Sequence, residues 1–583
     1  MNLITKTEEL VKEILEQNGY GIQNVVLENT SRPDLGQFQI NVAMSIAKKI
    51  HCNPLNVATK IKNELNKSEL FYNVNIAGAG FVNISFSNNT LIGFANEYLK
   101  DLKQAFTTDY KKKIFIDYGG ANIAKALHVG HLRSADIGEA LKRLTQMLGI
   151  EVVSDVHFGD IGRQSGIIIS EIKRNFPDLV FFDLNFKGKY PTNIPITAKD
   201  LDVLYPIASK DAKESEERME EVRQITSDLE SGNKGYIALW NIIKKLSIKN
   251  IKKIYARINT SFDLWEGESD CYPYIPTILE HFKKNNFMYE SEGAYVIDVA
   301  EEDDELKIPP LIVIKTNGST VYGTRELATL YSRIKRFKPD EIWYVVDNRQ
   351  EMYFKQVFRA AYKTGLVPKT TELKFAGFGT MNGNDGKPFK TRDGGVMQLT
   401  DLLDSVKQIS LEKLNPSITN TKQREEISKK IAVSAVKFAD LLPNRSTDYI
   451  FDIDKFVSLE GKTGPYLLYS VIRIKSLLNK AIAKGLSIGK IEILTGATDK
   501  DILSKLVTLN KMLNKAFYTQ SVNDIAEYLY NLITTYNKFY SENNILNEQN
   551  IKLRDSWLAL SQLIYNISKS LIEILGMEIP EKM

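Results

Sequence analysis

The stretch IFIDYGGANIAKALHVGHLRS, residues 114 to 134, decides the fold. Ile114–Tyr118 is a short apolar run of the kind a buried strand shows, and Gly119 with Gly120 supplies a turn. A helix follows from about His128. Its apolar residues Ile137, Leu141, Leu144 and Leu148 recur at i, i+4, i+7 and i+11, one face at helical period. Gly149 stops it. Strand, glycine turn and helix form the unit of a doubly wound sheet, in which ligands bind beyond the carboxyl ends of the strands.

Outward from this unit the alternation continues. Glu151–Val156, Leu311–Lys315, Ile342–Val346 and Leu373–Phe378 read as strands. Helices are expected from Arg325 to Phe337 and from Glu351 to Lys363. Strands alternating with helices of this length imply a multidomain α/β chain built on a Rossmann-type, doubly wound parallel sheet over residues 113–410. A charged helical insertion interrupts the sheet at about 183–300. Residues 1–105 mix helices with the alternating run VNIAGAGFVNISF and read as a separate α+β domain, with Pro54 opening one helix. Residues 411–440 read as a helical connector and 441–583 as an α-helical bundle.

Composition narrows the class. The chain has 583 residues, 43% hydrophobic and 25% charged, too apolar for wholesale disorder. Two cysteines exclude a disulfide scaffold and a four-cysteine zinc site, and are expected to be thiols of a cytoplasmic protein. No run is long and apolar enough for a membrane span. The amphipathic start MNLITKTEELVKEILEQ is neither a signal nor a transit peptide. A net charge of +4 allows a patchwise basic surface without proving nucleic-acid binding.

Chemistry concentrates at Ala126–His131. Of five histidines, His128 and His131 lie three apart at the start of a helix, so both imidazoles share a face. A helix N-terminus there offers free N–H groups and positive dipole to phosphate. Gly130 removes a side chain where a nucleotide ring could approach. Two partly exposed surface imidazoles are the bland alternative. Zinc is a third reading, but it lacks an HExxH pattern and nearby acidic ligands, so no metal ligand is assigned.

The stretch 117–134 resembles the first signature of the class I aminoacyl-tRNA synthetases, specifically the arginyl-tRNA synthetases. HFGDIGRQSG (157–166), FDLWEGES (262–269), YGTRELA (322–328), GKPFKTRDGG (386–395), EGKTGPYLLYSVIR (460–473) and the terminal EIPEKM resemble further segments of that family. LGQFQINVAMSIAKKIHCNP (35–54) and AGAGFVN (77–83) resemble its N-terminal domain for the outer corner of tRNA. The likeness covers nearly the whole chain. It implies an arginine–tRNA ligase that activates arginine with ATP and Mg²⁺, then passes arginyl to the 2′-hydroxyl of the terminal adenosine of arginine tRNA.

On this resemblance His128, Gly130 and His131 bind ATP, with the two histidines as donors to the phosphate charge of the transition state. Lys125 supplies positive charge that the family's KMSKS loop usually carries. Here that loop reads Lys387-Pro388-Phe389-Lys390-Thr391-Arg392, with proline and threonine at the two usual lysine positions. Lys387 and Lys390 remain as catalytic candidates. The arginine pocket is implied at Asp117, Asn122, Tyr322, Glu326 and Gln350, since a guanidinium is best held by carboxylates. The family more often has Asp where Glu326 stands, and the longer side chain is taken to compensate for the short Asp117. Lys462, Tyr466, Tyr469 and Arg473 are implied as tRNA contacts, with Phe38 and Asn41 in the N-terminal domain.

A monomer is expected, with no membrane partner. Another class I specificity, a small-molecule nucleotidyltransferase and a non-catalytic tRNA-binding protein are the competing readings. The flanking domains argue against the first two, and the intact Lys125, His128, His131 and Glu326 against the third.

Overall fold

A computed structural model describes every residue except 1, 22, 31, 33, 384 and 388–396. The chain forms two compact units, residues 110–458 with 574–577, and residues 1–109 with 459–573 and 578–583.

The first of these holds the parallel sheet. Its strands are β1 (Ile114–Asp117), β2 (Val152–Asp155), β3 (Glu341–Tyr344) and β4 (Glu372–Phe375), in the order β4-β3-β1-β2 with every pair parallel. All four residues of β1 and of β3 are buried, as expected of central strands covered on both faces. Helices α1 (Val129–Met147), α2 (Arg163–Asn175), α3 (Tyr322–Phe337) and α4 (Glu351–Lys363) complete the wound layers.

Two local expectations change. Leu311–Ile314 does not join the parallel sheet. It pairs antiparallel with Ala294–Ile297, which pairs in turn with Tyr289–Ser291. Its alternation of buried and exposed residues (Leu311 and Val313 in, Ile312 out) suits a sheet with one wet face, where a central parallel strand would be buried on both. The insertion is therefore helical through Ala198–Glu214, Glu216–Glu230 and Lys234–Arg257, and ends in this small sheet.

Helix α1 is buried nearly all round. The expected stripe of Ile137, Leu141, Leu144 and Leu148 lies in the core, but so do Arg133, Asp136, Glu139 and Lys142. Each of these charges has partners. Arg133 donates to the carbonyls of Thr447 (2.7 Å) and Asn444 (3.3 Å) and lies over the Tyr449 ring. Asp136 pairs with Lys437 at 2.8 Å. Glu139 accepts from Tyr118 and from the Ser261 amide, and pairs with Lys142 and Arg143. The helix Thr421–Leu441 and the strand Tyr449–Ile450 thus pack on the charged side of α1, within the same unit. Tyr449–Ile450 also pairs with Met381–Asn382, just before the lysine loop.

The other unit carries an antiparallel sheet of Leu27–Asn29, Phe38–Ile40, Phe81–Phe86 and Phe71–Ala77, in that order. It also holds the helices Gly464–Ala483, Ala497–Tyr518 and Asn523–Glu542. Phe38 is 1% exposed and packs edge-on against Phe86. It is core, so the expectation of an RNA contact there is withdrawn.

The Asp136–Lys437 pair is open to test. Burial pushes the Asp136 carboxyl above its ordinary range even beside Lys437. Lys437→Met leaves that carboxylate without its cation, a loss of about 3–5 kcal/mol for a buried pair broken on one side. A carboxyl whose folded pKa is raised binds a proton more readily folded than unfolded, so it favours the folded state at low pH and loses that effect as pH rises. The melting temperature of Lys437→Met is expected to fall further below wild type at pH 8 than at pH 6. Equal deficits would show that Asp136 carries no charge there.

Candidate active site

Strands β1 and β3 are neighbours from which the chain winds in opposite directions, β1 toward β2 and β3 toward β4. The crevice beyond their carboxyl ends is the switch point where doubly wound sheets bind ligands. A cavity of about 390 Å³ lies there, lined by Gly119 and Gly120 after β1, His128 and Gly130 at the start of α1, and Gln350 and Phe378 after β3 and β4.

The two histidines cap α1 reciprocally. His128 Nδ1 accepts from the Gly130 amide at 3.0 Å, and His131 Nδ1 accepts from the His128 amide at 3.1 Å. Their rings lie 4.0 Å apart, centroid to centroid. An Nδ1 that accepts a hydrogen bond leaves the ring proton on Nε2. Burial, with the positive charge of Lys125, pulls His128 down to about 4. Burial, His128 and Lys125 pull His131 down to about 3. Both are therefore neutral at pH 7, each with an Nε2–H donor.

The helix amides are not free as expected. The Val129 amide donates to the Met397 carbonyl, Gly130 to the His128 ring and His131 to the His128 carbonyl. Donation to a ligand at this terminus falls to the imidazoles. Gly130 also has a nearer purpose than admitting a nucleotide, because a Cβ there would stand 2.8 Å from His128 Cε1. The glycine makes room for the capping ring.

The expected guanidinium pocket is already furnished with arginines. Arg333, 3% exposed, reaches Asp117 Oδ2 at 2.5 Å, Asp155 Oδ2 at 3.0 Å and the Tyr344 hydroxyl at 3.2 Å. Tyr344 donates in turn to Glu326 Oε1 at 2.9 Å. Glu268 pairs with Arg325 at 2.9 Å, and Arg325 lies over the Tyr322 ring. Burial raises Asp117 against the pull of Arg333, and burial pushes Glu268 up to about 7 despite Arg325. Glu326 and Asp117 are brought into one electrostatic cluster, but Asp117 meets an internal arginine.

Asn122 lies over Gly159, where a Cβ would stand 2.2 Å from Asn122 Oδ1. Tyr322 is 55% exposed at the first turn of α3, and Gln350 lines the cavity. Lys125 is exposed beside the histidines whose pKa it lowers, after Ala124 in left-handed backbone (φ 61°). Lys387 is exposed, while Lys390 lies outside the described residues. In the other unit, Tyr466 accepts from Asn537 at 2.8 Å, Lys462 pairs with Glu527 at 2.7 Å, and Arg473 bonds Asn537 and lies over Tyr540. Tyr469 is 44% exposed.

The sequence reading missed Arg333, Glu268 and His157. Arg333 carries a usable signal, since it stands seven residues after Glu326 on one helical face. His157 follows β2 at a ligand-facing strand end.

Comparison with known proteins supplies the family. Residues 95–453 match the profile described as tRNA synthetases class I (R), catalytic domain. Residues 467–583 match the DALR anticodon binding domain, and residues 5–86 the arginyl tRNA synthetase N terminal domain. The chain is 44% identical to the arginine–tRNA ligase of Alkaliphilus oremlandii, over 100% of both chains. It is 42% identical to that of Agathobacter rectalis, over 100% of this chain and 99% of the relative. Among solved structures it resembles arginyl-tRNA synthetase from Plasmodium falciparum, with TM-score 0.81, 24% identity and coverage of 100% and 99%. The Thermus thermophilus arginyl-tRNA synthetase gives TM-score 0.80 at 19% identity over 100% of each chain.

The histidine protonation states are directly measurable. With ring-labelled histidine, the NMR shifts of His128 and His131 are expected to stay flat from pH 8 to 5.5, because both are neutral throughout. Titration of either near pH 6.5 would remove the Nε2–H donor assignment.

Proposed function

Because the chain belongs to the arginyl-tRNA synthetases of class I, we propose that the cavity between β1 and β3 is where this arginine–tRNA ligase joins arginine to ATP. Its supporting observation is the reciprocal histidine cap, which aims two neutral donors from one helix start at a switch-point crevice.

The substrate carboxylate attacks the α-phosphorus of ATP, and pyrophosphate leaves. Negative charge grows on the phosphate oxygens in the transition state, so donors placed there in advance lower the barrier. His128 and His131 are those donors through Nε2–H, with Gly130 beside them at the nucleotide. Neutral imidazoles suit the task, since the Nε2–H is a donor without the ring first taking up a proton. Lys125 adds a cation beside them, and Lys387 and Lys390 add charge from the loop.

The substrate guanidinium takes Glu326 and Asp117, with Tyr322 alongside. Asn122 and Gln350 hold the uncharged-partner positions at its α-amino and carboxylate ends. Arginyl then passes to the 2′-hydroxyl of the terminal adenosine of arginine tRNA. Lys462, Tyr469 and Arg473 contact that tRNA, Tyr469 by stacking from its exposed position. Tyr466, half-buried and hydrogen-bonded by Asn537, is a further tRNA contact beside it. Asn41, which precedes the helix Val42–Ile50, takes the tRNA corner.

Magnesium enters with the phosphates of ATP. Among the described residues no group of three His, Cys, Asp or Glu side chains is placed to hold a metal ion. No described helix is long and apolar enough to cross a membrane. We place the enzyme in the cytoplasm as a monomer, with Cys52 and Cys271 as free thiols.

ATP–pyrophosphate exchange tests the pocket. Glu326→Gln keeps shape and removes charge, with an expected loss on the order of 2–4 kcal/mol, roughly 30- to 1000-fold in kcat/KM for arginine. The preference for arginine over its uncharged near-isostere citrulline should narrow, and an unchanged ratio would dismiss Glu326 from the pocket.

The same assay ranks the lysines. Lys125→Ala is expected to slow exchange at least as much as Lys390→Ala. The reverse order would return the work to the loop.

A further inference from the structure

His157 is a half-buried nucleophile and base that the activation chemistry leaves unused. It follows β2, and its backbone is left-handed (φ 39°), a conformation a non-glycine residue keeps only where its surroundings over-determine it. Its side chain is 13% exposed, and its Nδ1 has no hydrogen-bond partner. That nitrogen stands 3.6 Å from Asp155 Oδ2, the oxygen that also receives Arg333 at 3.0 Å.

The groups that face it come from four elements. Asp117 lies on β1, Asp155 on β2, Glu326 and Arg333 on α3, and Glu268 in the short turn Glu268–Tyr274. Arg325, on α3, is the partner of Glu268. Four carboxylates thus face two guanidinium groups. An enclosed cluster with more anions than cations gathers protons until a cation arrives. Among the described residues of this cluster, His157 is the basic side chain able to titrate near neutrality.

We propose that His157 is the resident counter-cation of the arginine pocket, and that it releases its proton to solvent when the substrate guanidinium takes over the charge of the carboxylates. The inference rests on the pocket assignment of the preceding subsection. Burial alone would lower His157, yet the Asp155 carboxylate 3.6 Å away and the charges of Asp117 and Glu326 outweigh Arg333 and hold it up at about 9. It is therefore cationic in the empty site at pH 8, where Glu268, near 7, has already lost its proton. The substrate brings one positive charge and one proton leaves, so the charge of the pocket is conserved. A neutral side chain cannot displace that proton, which makes His157 a specificity-determining residue for a cationic substrate.

Titration calorimetry of the full chain with arginine at pH 8, in buffers of unlike ionisation heat, counts the protons released. Wild type is expected to release a sizeable fraction of one proton. Its affinity should tighten with pH between 7 and 8.5, by up to about tenfold per unit for one proton released. His157→Asn suits the comparison because Asn tolerates left-handed backbone, and a melting curve checks its fold. The variant should release almost none and lose the pH slope. Binding by wild type without proton release overturns this proposal and leaves the substrate assignment standing. Release that persists in His157→Asn comes from the substrate amine or Glu268 and also overturns it. A failure of arginine to bind overturns both readings together.

Discussion

One buried guanidinium holds the site together. Arg333 sits at the carboxyl ends of three adjacent strands and touches each of them: Asp117 on β1, Asp155 on β2 and Tyr344 on β3. A charge so enclosed is tolerable only with such partners. Its position therefore sets where those strand ends stand, and Tyr344 carries the constraint on to Glu326. The proposed arginine pocket is organised around a guanidinium that belongs to the protein. This explains how several carboxylates can be kept close together before any substrate arrives.

Beside it, the helix start that lines the cavity follows a different logic. The donors of a helix start are ordinarily its amides. Here the capping box and the Met397 carbonyl satisfy them, and the available protons are moved to two imidazole Nε2 atoms. A side chain reaches farther than an amide and can be aimed. The cost is paid in packing, since residue 130 must lack a Cβ for the His128 ring to turn back on the helix. The His-x-Gly-His spacing is thus a geometric requirement of the cap.

The polar side of α1 extends the same theme. Arg133, Asp136 and Glu139 bind the segments 444–449 and 259–261 and the helix that carries Lys437, all within one unit. The segment that receives Arg133 also pairs with Met381–Asn382, which leads to the lysine loop.

Local order was legible in the sequence wherever it rests on period or on a single residue's stereochemistry. The strand–turn–helix at 114–147, the doubly wound sheet and the helix opened by Pro54 follow from such signals. The family, too, was readable from ordered motifs. What the sequence left undecided were matters of partner. Leu311–Ile314 is as apolar as a central strand, and only its antiparallel neighbour, with one wet face, set it apart. Phe38 lies in a segment that resembles an RNA-binding domain, and packing against Phe86 put it in the core. Asp117 was readable as a strand-end carboxylate, but its cation comes from 216 residues away. Hydrophobic period is written along the chain. The pairing of buried charges is not, because it depends on which distant groups the fold brings within hydrogen-bond reach, and that is settled only when the sheet closes.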